Sequence, residues 1–124
     1  MRAGHHRERA QRVSAQLTKL TSLDYEGVVE ACMIAGTHWF NMGLHEFGLT
    51  SIDEDAMHAE YMTKALRTKI ALVSGEMLSA LDEIENYRAL FVRGNAPGGE
   101  AAARRCLTLL DAISDIADAA KPGA

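Results

Sequence analysis

The sequence is short of cysteine, proline and aromatic residues, and it has no long apolar run. Two prolines in 124 residues, with 48% hydrophobic and 24% charged residues, are typical of a soluble helical protein and argue against disorder. No apolar run approaches the roughly 18 residues that a membrane span needs, and residues 1–12 lack the apolar centre of a signal peptide. We therefore expect one folded domain, located in the cytoplasm and without a membrane partner.

Motifs for metal, redox and nucleophilic chemistry are also missing. The two cysteines, Cys32 and Cys106, stand far apart in the sequence, so there is no Cys-x-x-Cys motif. Both fall on predicted apolar helix faces, which favours reduced cytosolic thiols over a disulfide. The stretch 94–99 lacks the lysine and the Ser or Thr of a phosphate-binding loop, and no Gly-x-Ser-x-Gly motif occurs. A conventional hydrolase or kinase is not expected, and no cofactor is predicted.

The formal net charge of −4 is unevenly distributed along the chain. Residues 1–20 contain five basic residues and one acidic residue, whereas the remainder contains eight basic and sixteen acidic residues. An acidic body repels a phosphate backbone, so any contact with nucleic acid must come from a local basic patch. The basic start of the chain is interpreted as a solvated first turn or tail.

Helical periodicity dominates the sequence, because Ala, Leu, Glu, Met and Arg are frequent and sustained alternation of β-branched residues is missing. Asp24 is placed to cap a helix and Gly48 to end it, and Pro97 cannot continue one. Ser51 or Asp53 is a further candidate cap. These signals predict helices at about residues 7–20, 24–47, 53–65, 66–92 and 100–120, the third of them short and loose.

The segments together predict an all-α fold, an up-and-down bundle of four to five helices. Residues 1–23 are expected to form a basic N-terminal helix or tail, residues 24–120 the bundle domain, and residues 121–124 a frayed C-terminus. The segment 66–92 contributes one continuous apolar stripe to the core. That stripe contains Leu66, Ile70, Val73, Met77, Leu81, Ile84 and Phe91.

The segment 24–47 has apolar residues on two sides. One stripe contains Tyr25, Val29, Cys32, Gly36, Trp39, Gly43 and Phe47. Its glycines each cost about 1 kcal/mol of helix propensity relative to Ala, which indicates that another helix crosses closely there. A second stripe contains Ile34, His38, Phe40, Asn41, Leu44 and His45. A helix with two such stripes either lies centrally or meets a second chain, and we expect a homodimer.

Four arginines flank the turn between the last two predicted helices: Arg88, Arg93, Arg104 and Arg105. Together with Asn95 they predict a binding corner for a phosphate group or a partner protein, because guanidinium groups present paired donors to anions. The alternative is that these arginines form solvated ion pairs with neighbouring acids such as Glu85 or Glu100.

The histidines suggest a second kind of site. His38 and His45 lie two turns apart on one side of their helix, about 10 Å along its axis, which is too far to share a metal ion unaided. His58 follows Glu54 and Asp55 by four and three residues, a set that can contribute to a metal site with His45 or Glu46 of the neighbouring helix. The alternative is a histidine that pairs with an acid near a helix cap.

Two stretches, residues 24–48 (DYEGVVEACMIAGTHWFNMGLHEFG) and residues 77–113 (MLSALDEIENYRALFVRGNAPGGEAAARRCLTLLDAI), carry a family resemblance. In helix layout and in the alternation of small and aromatic positions they resemble the HEPN superfamily. The resemblance implies a small helical bundle that dimerises and belongs to toxin–antitoxin or other nucleic-acid conflict systems.

Active members of that superfamily cut RNA with an arginine that is followed four to six residues later by a histidine. Arg88 or Arg93 can occupy the arginine position, but no histidine follows His58 in this sequence. Asn95 comes seven residues after Arg88 and cannot act as a general base. The resemblance therefore implies the fold, the dimer and an anion-binding surface, without the RNase activity.

We accordingly predict a non-catalytic, HEPN-like homodimer that binds a cognate partner protein or a nucleic-acid or nucleotide phosphate through its arginine corner. Two alternatives stay open. One is a metal- or small-molecule-binding bundle that uses His38, His45 and His58. The other is a degenerate RNase whose histidine, His5 or His6, comes from a second subunit.

Overall fold

The computed structural model describes residues 1–56 and 62–120, and all regular structure in these two ranges is helical. The elements are α1 (Ala3–Leu17), α2 (Tyr25–Glu46), α3 (Lys64–Tyr87), a π-helical segment (Arg88–Arg93) that continues α3, and α4 (Gly99–Ala119). The prediction of an all-α helical bundle is confirmed. Among the described residues no helix is long and apolar enough to cross a membrane. The predicted frayed terminus, residues 121–124, lies outside the described residues.

Helix α2 lies at the centre of the bundle, in contact with α1, α3, the π-helical segment and α4. Both of its predicted stripes are largely buried. Cys32 and Gly36 of the first stripe are buried, and so are Phe40 and Leu44 of the second. Ile34 of the second stripe remains 45% exposed. Because α2 is central, contacts within a single chain bury most of the second stripe.

Helix α1 begins earlier than the sequence pattern predicted, at Ala3 instead of residue 7, and ends at Leu17. Its buried face contains His6 and Ala10. Arg7 forms an ion pair with Asp118 of α4 and places its guanidinium 5.7 Å from the ring centroid of Trp39. A cation over an indole face is attracted by the ring quadrupole. The basic start of the chain is therefore a helix packed on the bundle.

The C-terminal end of α2 agrees with the prediction from the sequence, whereas the predicted N-terminal cap does not form. Gly48 ends the helix with a φ of 74°, and the amide of Leu49 donates to the carbonyl of Leu44 at 2.9 Å, as in a Schellman motif. Asp24 precedes the helix as predicted, but its carboxylate accepts from the amide of Thr21 at 2.9 Å. The Asp24 side chain thus closes the turn before α2, and the prediction that it caps the first turn was wrong.

The predicted loose helix at residues 53–65 is not formed in the part of it that the structure describes. Residues 53–56 lie outside any helix, and α3 begins at Lys64 after Thr63, whose hydroxyl accepts from the amide of Leu66 at 3.1 Å. The buried amide of Asn41 explains the difference, because it holds the backbone of Ala56 in place. Asn41 Oδ1 accepts from Ala56 N at 2.7 Å, and Asn41 Nδ2 donates to Ala56 O at 2.8 Å.

The predicted continuous stripe of α3 is interrupted at Ser74, which has a φ of −154° and a ψ of 89°. Its hydroxyl accepts from the amide of Met77 at 3.2 Å, so it acts as the N-cap of the second half of the helix. Next to the interruption, Val73 is 47% and Leu72 83% exposed, whereas Ile70, one turn earlier, is 1% exposed and belongs to the core. The prediction that Val73 is a core residue was therefore wrong.

Other helices cross α2 at its glycines, as predicted. A Cβ atom on Gly43 would lie 3.1 Å from Met77 Sδ of α3 and 3.4 Å from the Cβ of Ala117 of α4. One on Gly36 would lie 3.6 Å from Ile113 and 3.7 Å from Ile84. Gly43 therefore has less free space than Gly36.

Candidate functional site

The four arginines that were predicted to form a binding corner each have a carboxylate partner. Arg88 Nε donates to both carboxylate oxygens of Glu30, at 3.1 and 2.9 Å. Arg88 and Arg93 share Glu85, with N···O distances of 3.7 and 3.4 Å. Arg104 pairs with Glu100 at 3.1 Å. The expected alternative of ion pairs with Glu85 and Glu100 is therefore present.

Arg105 makes the most regular of these ion pairs. Its Nε and Nη2 atoms donate to the two carboxylate oxygens of Glu83 at 2.8 and 3.1 Å. Tyr87 donates its hydroxyl to the same carboxylate at 2.8 Å. The hydrogen bond from Arg105 is the main reason that the pKa of Glu83 is lowered. Asn95 lies exposed in the turn between the two arginine pairs.

A second group of ionisable side chains lies where α1 meets α2 and the segment that follows α2. It consists of His6, His38, His45 and Asp55, and we call it the histidine cluster. His6 Nε2 and His45 Nε2 lie 2.9 and 3.0 Å from the same carboxylate oxygen, Asp55 Oδ1. The side chains of His6 and His45 are only 3% and 5% exposed. Two buried imidazoles thus converge on one oxygen atom.

The other ring nitrogens of these two imidazoles also have partners. His6 Nδ1 lies 2.9 Å from His38 Nδ1. His45 Nδ1 lies 2.8 Å from the hydroxyl oxygen of Thr50 and 3.3 Å from its carbonyl oxygen. Each of these partners can either donate or accept, apart from the Thr50 carbonyl, which accepts. The partners of Nδ1 therefore suit either neutral tautomer, whereas the carboxylate of Asp55 accepts from a protonated Nε2 of both rings.

Local structure explains how Asp55 reaches the two imidazoles. The Schellman motif at Gly48 turns the chain back along α2, and the amide of Asn41 fixes the backbone at Ala56. Asn41 is 1% exposed and lies one turn before His45 on the same helix. The side chain of Asp55, the residue before Ala56, is thereby held beside His45.

The protonation states in the cluster follow from burial and hydrogen bonding. Burial lowers the pKa of His6 and of His38, so both imidazoles favour the neutral form. Burial alone would raise the pKa of Asp55, but hydrogen bonds from His6, the amino terminus and His45 outweigh it and lower this pKa to about 2. At neutral pH the cluster thus contains an ionised carboxylate beside a neutral imidazole.

The arrangement has the geometry of a metal-binding site. One ligand atom each from His6, His45 and Asp55 all lie within 4.8 Å of one another. Zinc bonds of about 2.0 to 2.1 Å in a tetrahedron place neighbouring ligand atoms about 3.3 to 3.4 Å apart. The two N···O distances of 2.9 and 3.0 Å need to grow by only a few tenths of an ångström. Small side-chain movements would therefore admit an ion.

The histidine cluster overlaps only in part with the predicted metal-site residues. His45 belongs to it, and His38 joins it through His6. Glu54 is exposed and accepts a hydrogen bond from Ser51 at 3.0 Å, so it lies outside the cluster. His58 lies outside the described residues. The side chain beside His45 is therefore that of Asp55, the neighbour of Glu54.

His6 was missed as a candidate ligand because the first helix was expected to start after it. Its position could have been inferred from the spacing of one helical face. Ala3, His6, Ala10, Val13 and Leu17 recur every three to four residues and are all at least partly buried. Extending the apolar face back to Ala3 places His6 on the side of α1 that packs against the bundle.

A cavity of about 240 Å³ opens beside the histidine cluster. His6, His38 and Asp55 line one end of it, and Glu30 and Arg88 line the other. Comparisons of this chain with protein-family models, curated proteins and solved structures find no match. The side chains of the cluster and the cavity are therefore the basis for assigning a function.

Proposed function

We propose that this protein binds a divalent transition-metal ion through His6 Nε2, His45 Nε2 and the carboxylate of Asp55. The main support is that two buried imidazole Nε2 atoms lie 2.9 and 3.0 Å from Asp55 Oδ1. The three residues come from α1, from α2 and from the segment after α2. Imidazole and carboxylate ligands suit zinc and its first-row neighbours.

The surroundings of the cluster support metal binding over a purely structural role. When Nε2 coordinates an ion, the ring proton must sit on Nδ1 and needs an acceptor. His6 Nδ1 has His38 Nδ1 as an acceptor, and His45 Nδ1 has the oxygens of Thr50. Asp55, with its pKa lowered to about 2, is already ionised, so protons compete weakly for it at neutral pH.

Three protein ligands leave at least one coordination position for a water molecule or another ligand. Structural zinc sites usually have four protein ligands, whereas catalytic and ligand-binding sites keep an open position. Because His6 and Asp55 also line the cavity of about 240 Å³, a small molecule in that cavity has access to this position. The site is therefore of the open type.

Metal titration of the untagged, chelator-treated protein tests the proposal. We expect one Zn²⁺ or Co²⁺ ion per chain by isothermal titration calorimetry, with Asp55→Asn and His45→Gln each weakening the affinity at least about 100-fold, the upper limit for loss of an outer-shell partner. His5→Gln is the matched control, because His5 is exposed and adjacent to His6. Absence of binding, or equal affinity in all these variants, contradicts the proposal.

Phosphate binding at the arginine corner and a HEPN-like homodimer remain predictions of the sequence. A four-arginine site gives a slope of about −3 for log affinity against log salt, and Arg88→Gln with Arg93→Gln should halve it. Titration of labelled single-stranded RNA at several salt concentrations measures this slope. A slope that the double substitution leaves unchanged contradicts an arginine-dependent site. Light scattering over a dilution series tests the dimer, and a monomer at micromolar concentration contradicts it.

A further inference from the structure

The cavity beside the histidine cluster is lined mainly by one side of α2. Glu30, Ile34, Thr37, His38 and Asn41 line it and recur every one to four residues along the same side of the helix. The positions from 30 to 41 span about 16 Å at 1.5 Å per residue. The proposed metal site lies at one end, and an ion pair between Glu30 and Arg88 lies at the other.

We infer that this cavity binds a small carboxylate with a short apolar chain, with the carboxylate on the metal ion and the chain along α2. The inference rests on the proposed metal site and specifies the class of its ligand. A carboxylate is an ordinary oxygen ligand for first-row divalent ions. The open coordination position gives it a place to bind.

The net charge of the proposed metal site favours an anionic ligand at that end of the cavity. A divalent ion with the ionised carboxylate of Asp55 and neutral imidazole ligands has a net charge of +1, and the amino group of Met1, 3.1 Å from Asp55 Oδ2, lies beside it. An anionic ligand neutralises this charge in surroundings where His6 and His45 are almost fully buried.

The middle of the cavity is suited to an apolar chain. Met33 and Ile34 line it one turn of α2 after Glu30, and Thr37 lines it between them and His38. Ile34 is 45% exposed, which leaves apolar surface that a ligand can cover. Burying such surface contributes about 0.8 kcal/mol for each methylene group, equivalent to about a fourfold gain in affinity. The ligand class therefore has a chain longer than that of acetate.

The far end of the cavity limits the length of that chain. Glu30 is held there by Arg88 at 2.9 and 3.1 Å, and Arg88 is the first residue of the π-helical segment. A methyl terminus that reached this ion pair would desolvate two charged groups without replacing their hydrogen bonds. The volume of about 240 Å³ holds about eight water molecules at 30 Å³ each, which also restricts the ligand to a small size.

The closing experiment uses Co²⁺ as a spectroscopic probe and has two stages. First, Co²⁺ is added to the chelator-treated protein, and its visible absorption is followed to saturation. Second, acetate, butanoate or hexanoate is titrated into the Co²⁺-loaded protein. We expect each carboxylate to shift the cobalt spectrum, with affinity rising up to about fourfold for each added methylene from acetate to butanoate. Affinity should rise more slowly from butanoate to hexanoate as the chain nears Glu30.

A substitution on the proposed chain-binding surface separates this ligand from a carboxylate that binds only the metal. Ile34→Gln should leave the affinities for Co²⁺ and acetate unchanged and remove most of the preference for butanoate over acetate. Leu72→Gln is the control, because Leu72 is also an exposed apolar residue, 83% exposed, and lies on α3. It should leave every affinity unchanged.

The two stages distinguish failure of the metal site from failure of the ligand. If Co²⁺ does not bind, the proposed function is wrong, and the ligand inference falls with it. If Co²⁺ binds but no carboxylate changes its spectrum, the ligand inference alone is overturned. Equal affinities for acetate, butanoate and hexanoate, or a chain preference that Ile34→Gln leaves intact, overturn it as well.

Discussion

The arginine corner and the histidine cluster differ in exposure and in how their charges are matched. The side chains of Arg93, Arg104 and Arg105 are 50 to 59% exposed, and each pairs with a separate carboxylate. The side chains of His6 and His45 are 3 to 5% exposed and share a single carboxylate oxygen. The corner satisfies its charges pairwise at the surface, whereas the cluster directs several nitrogens to one point inside the protein.

This difference shows which polar groups need a functional explanation. Exposed ion pairs contribute only about 0 to 1 kcal/mol to stability and occur on most protein surfaces. Burying polar groups costs about 1 to 3 kcal/mol each when they lack partners, so a buried group is retained only where its bonds are satisfied. Proximity of like charges along a sequence is thus a weak indication of a site, and convergence of buried ligand atoms is a stronger one.

The largest effect is expected from Asn41→Leu, which removes the support of the cluster. The substitution leaves the partly buried N–H and C=O groups of Ala56 without their partner, at up to about 1 to 3 kcal/mol each. We therefore expect a loss of about 2 to 4 kcal/mol in the free energy of unfolding. The same variant should bind metal more weakly, because Asp55 is no longer held beside His45.

Urea denaturation and zinc titration of Asn41→Leu measure these two effects. Asn41→Asp serves as a comparison, since it keeps the acceptor for Ala56 N but loses the donor to Ala56 O. At neutral pH it should be at least as destabilising as Leu, because its buried carboxylate faces the carbonyl oxygens of Thr37 and Ala56. A Leu variant as stable as the wild-type protein would show that this amide does not position the segment.

A smaller loss of stability is expected from Asp55→Asn in the metal-free protein. The Asn oxygen can still accept from both imidazoles, but hydrogen bonds to a charged acceptor are stronger than those to a neutral one. We expect about 1 to 2 kcal/mol less stability, together with the loss of metal affinity described above. Urea denaturation with and without Zn²⁺ distinguishes the loss of stability from the loss of metal affinity, because Zn²⁺ should stabilise only the wild-type protein. Equal stabilisation of both proteins would contradict the assignment of Asp55 as a ligand.

Between pH 6.5 and 5, acid should destabilise the metal-free protein through the cluster, because the lowered pKa of Glu83 in the corner has its effect only below about pH 4.5. The pKa values of His6 and His38 are lowered from 6.5 by burial. Above pH 6.5 both are neutral in the folded and unfolded chains, and as the pH falls below 6.5 the unfolded chain takes up protons that the folded chain resists. Stability should therefore fall between pH 6.5 and 5. The contribution of Asp55, whose pKa is lowered from 3.8 to about 2, is lost only below pH 3.8.

Denaturation curves at pH 7.5, 6.5 and 5.5 measure this dependence. The variant that replaces both His6 and His38 by Gln should show a flatter profile over the same range. His5→Gln should keep the wild-type profile, because His5 is exposed. A wild-type protein that is equally stable or more stable at pH 5.5 than at pH 7.5 would contradict burial of neutral imidazoles.

The smallest effect is expected at the arginine corner. Arg104→Gln removes an exposed ion pair with Glu100, four residues away on the same helix. Such pairs contribute about 0.3 to 0.5 kcal/mol, so the melting temperature should change by a few degrees at most. Differential scanning calorimetry at low and high salt tests this. A destabilisation as large as that of Asn41→Leu would remove the contrast between the two regions.

The helices could be predicted from the sequence because their apolar residues recur with helical spacing. The two stripes of α2 and the stop at Gly48 are local signals of this kind. The interruption of α3 at Ser74 could not be predicted, because serine is tolerated within helices and Val73 continues the apolar spacing. The local sequence pattern thus predicts where the helices lie better than it predicts interruptions within them.

The histidine cluster depends on contacts between distant parts of the chain. His6 and His38 are 32 residues apart, and His6 and Asp55 are 49 residues apart. Sequence spacing indicated His58 as the partner of Asp55 because the two are neighbours on a helical pattern, yet residues 53–56 lie outside any helix. The position of Asp55 follows from the buried Asn41 amide, a tertiary contact with no periodic signal.

X-ray absorption at the zinc edge of the untagged, zinc-loaded protein shows directly whether His6, His45 and Asp55 bind the ion. We expect a first shell of nitrogen and oxygen atoms at about 2.0 to 2.1 Å, with the outer-shell scattering of two imidazole rings, and the loss of one ring in His6→Gln or His45→Gln. A sulfur-containing shell would contradict this assignment, as would zinc lost on desalting or a spectrum that these two substitutions leave unchanged.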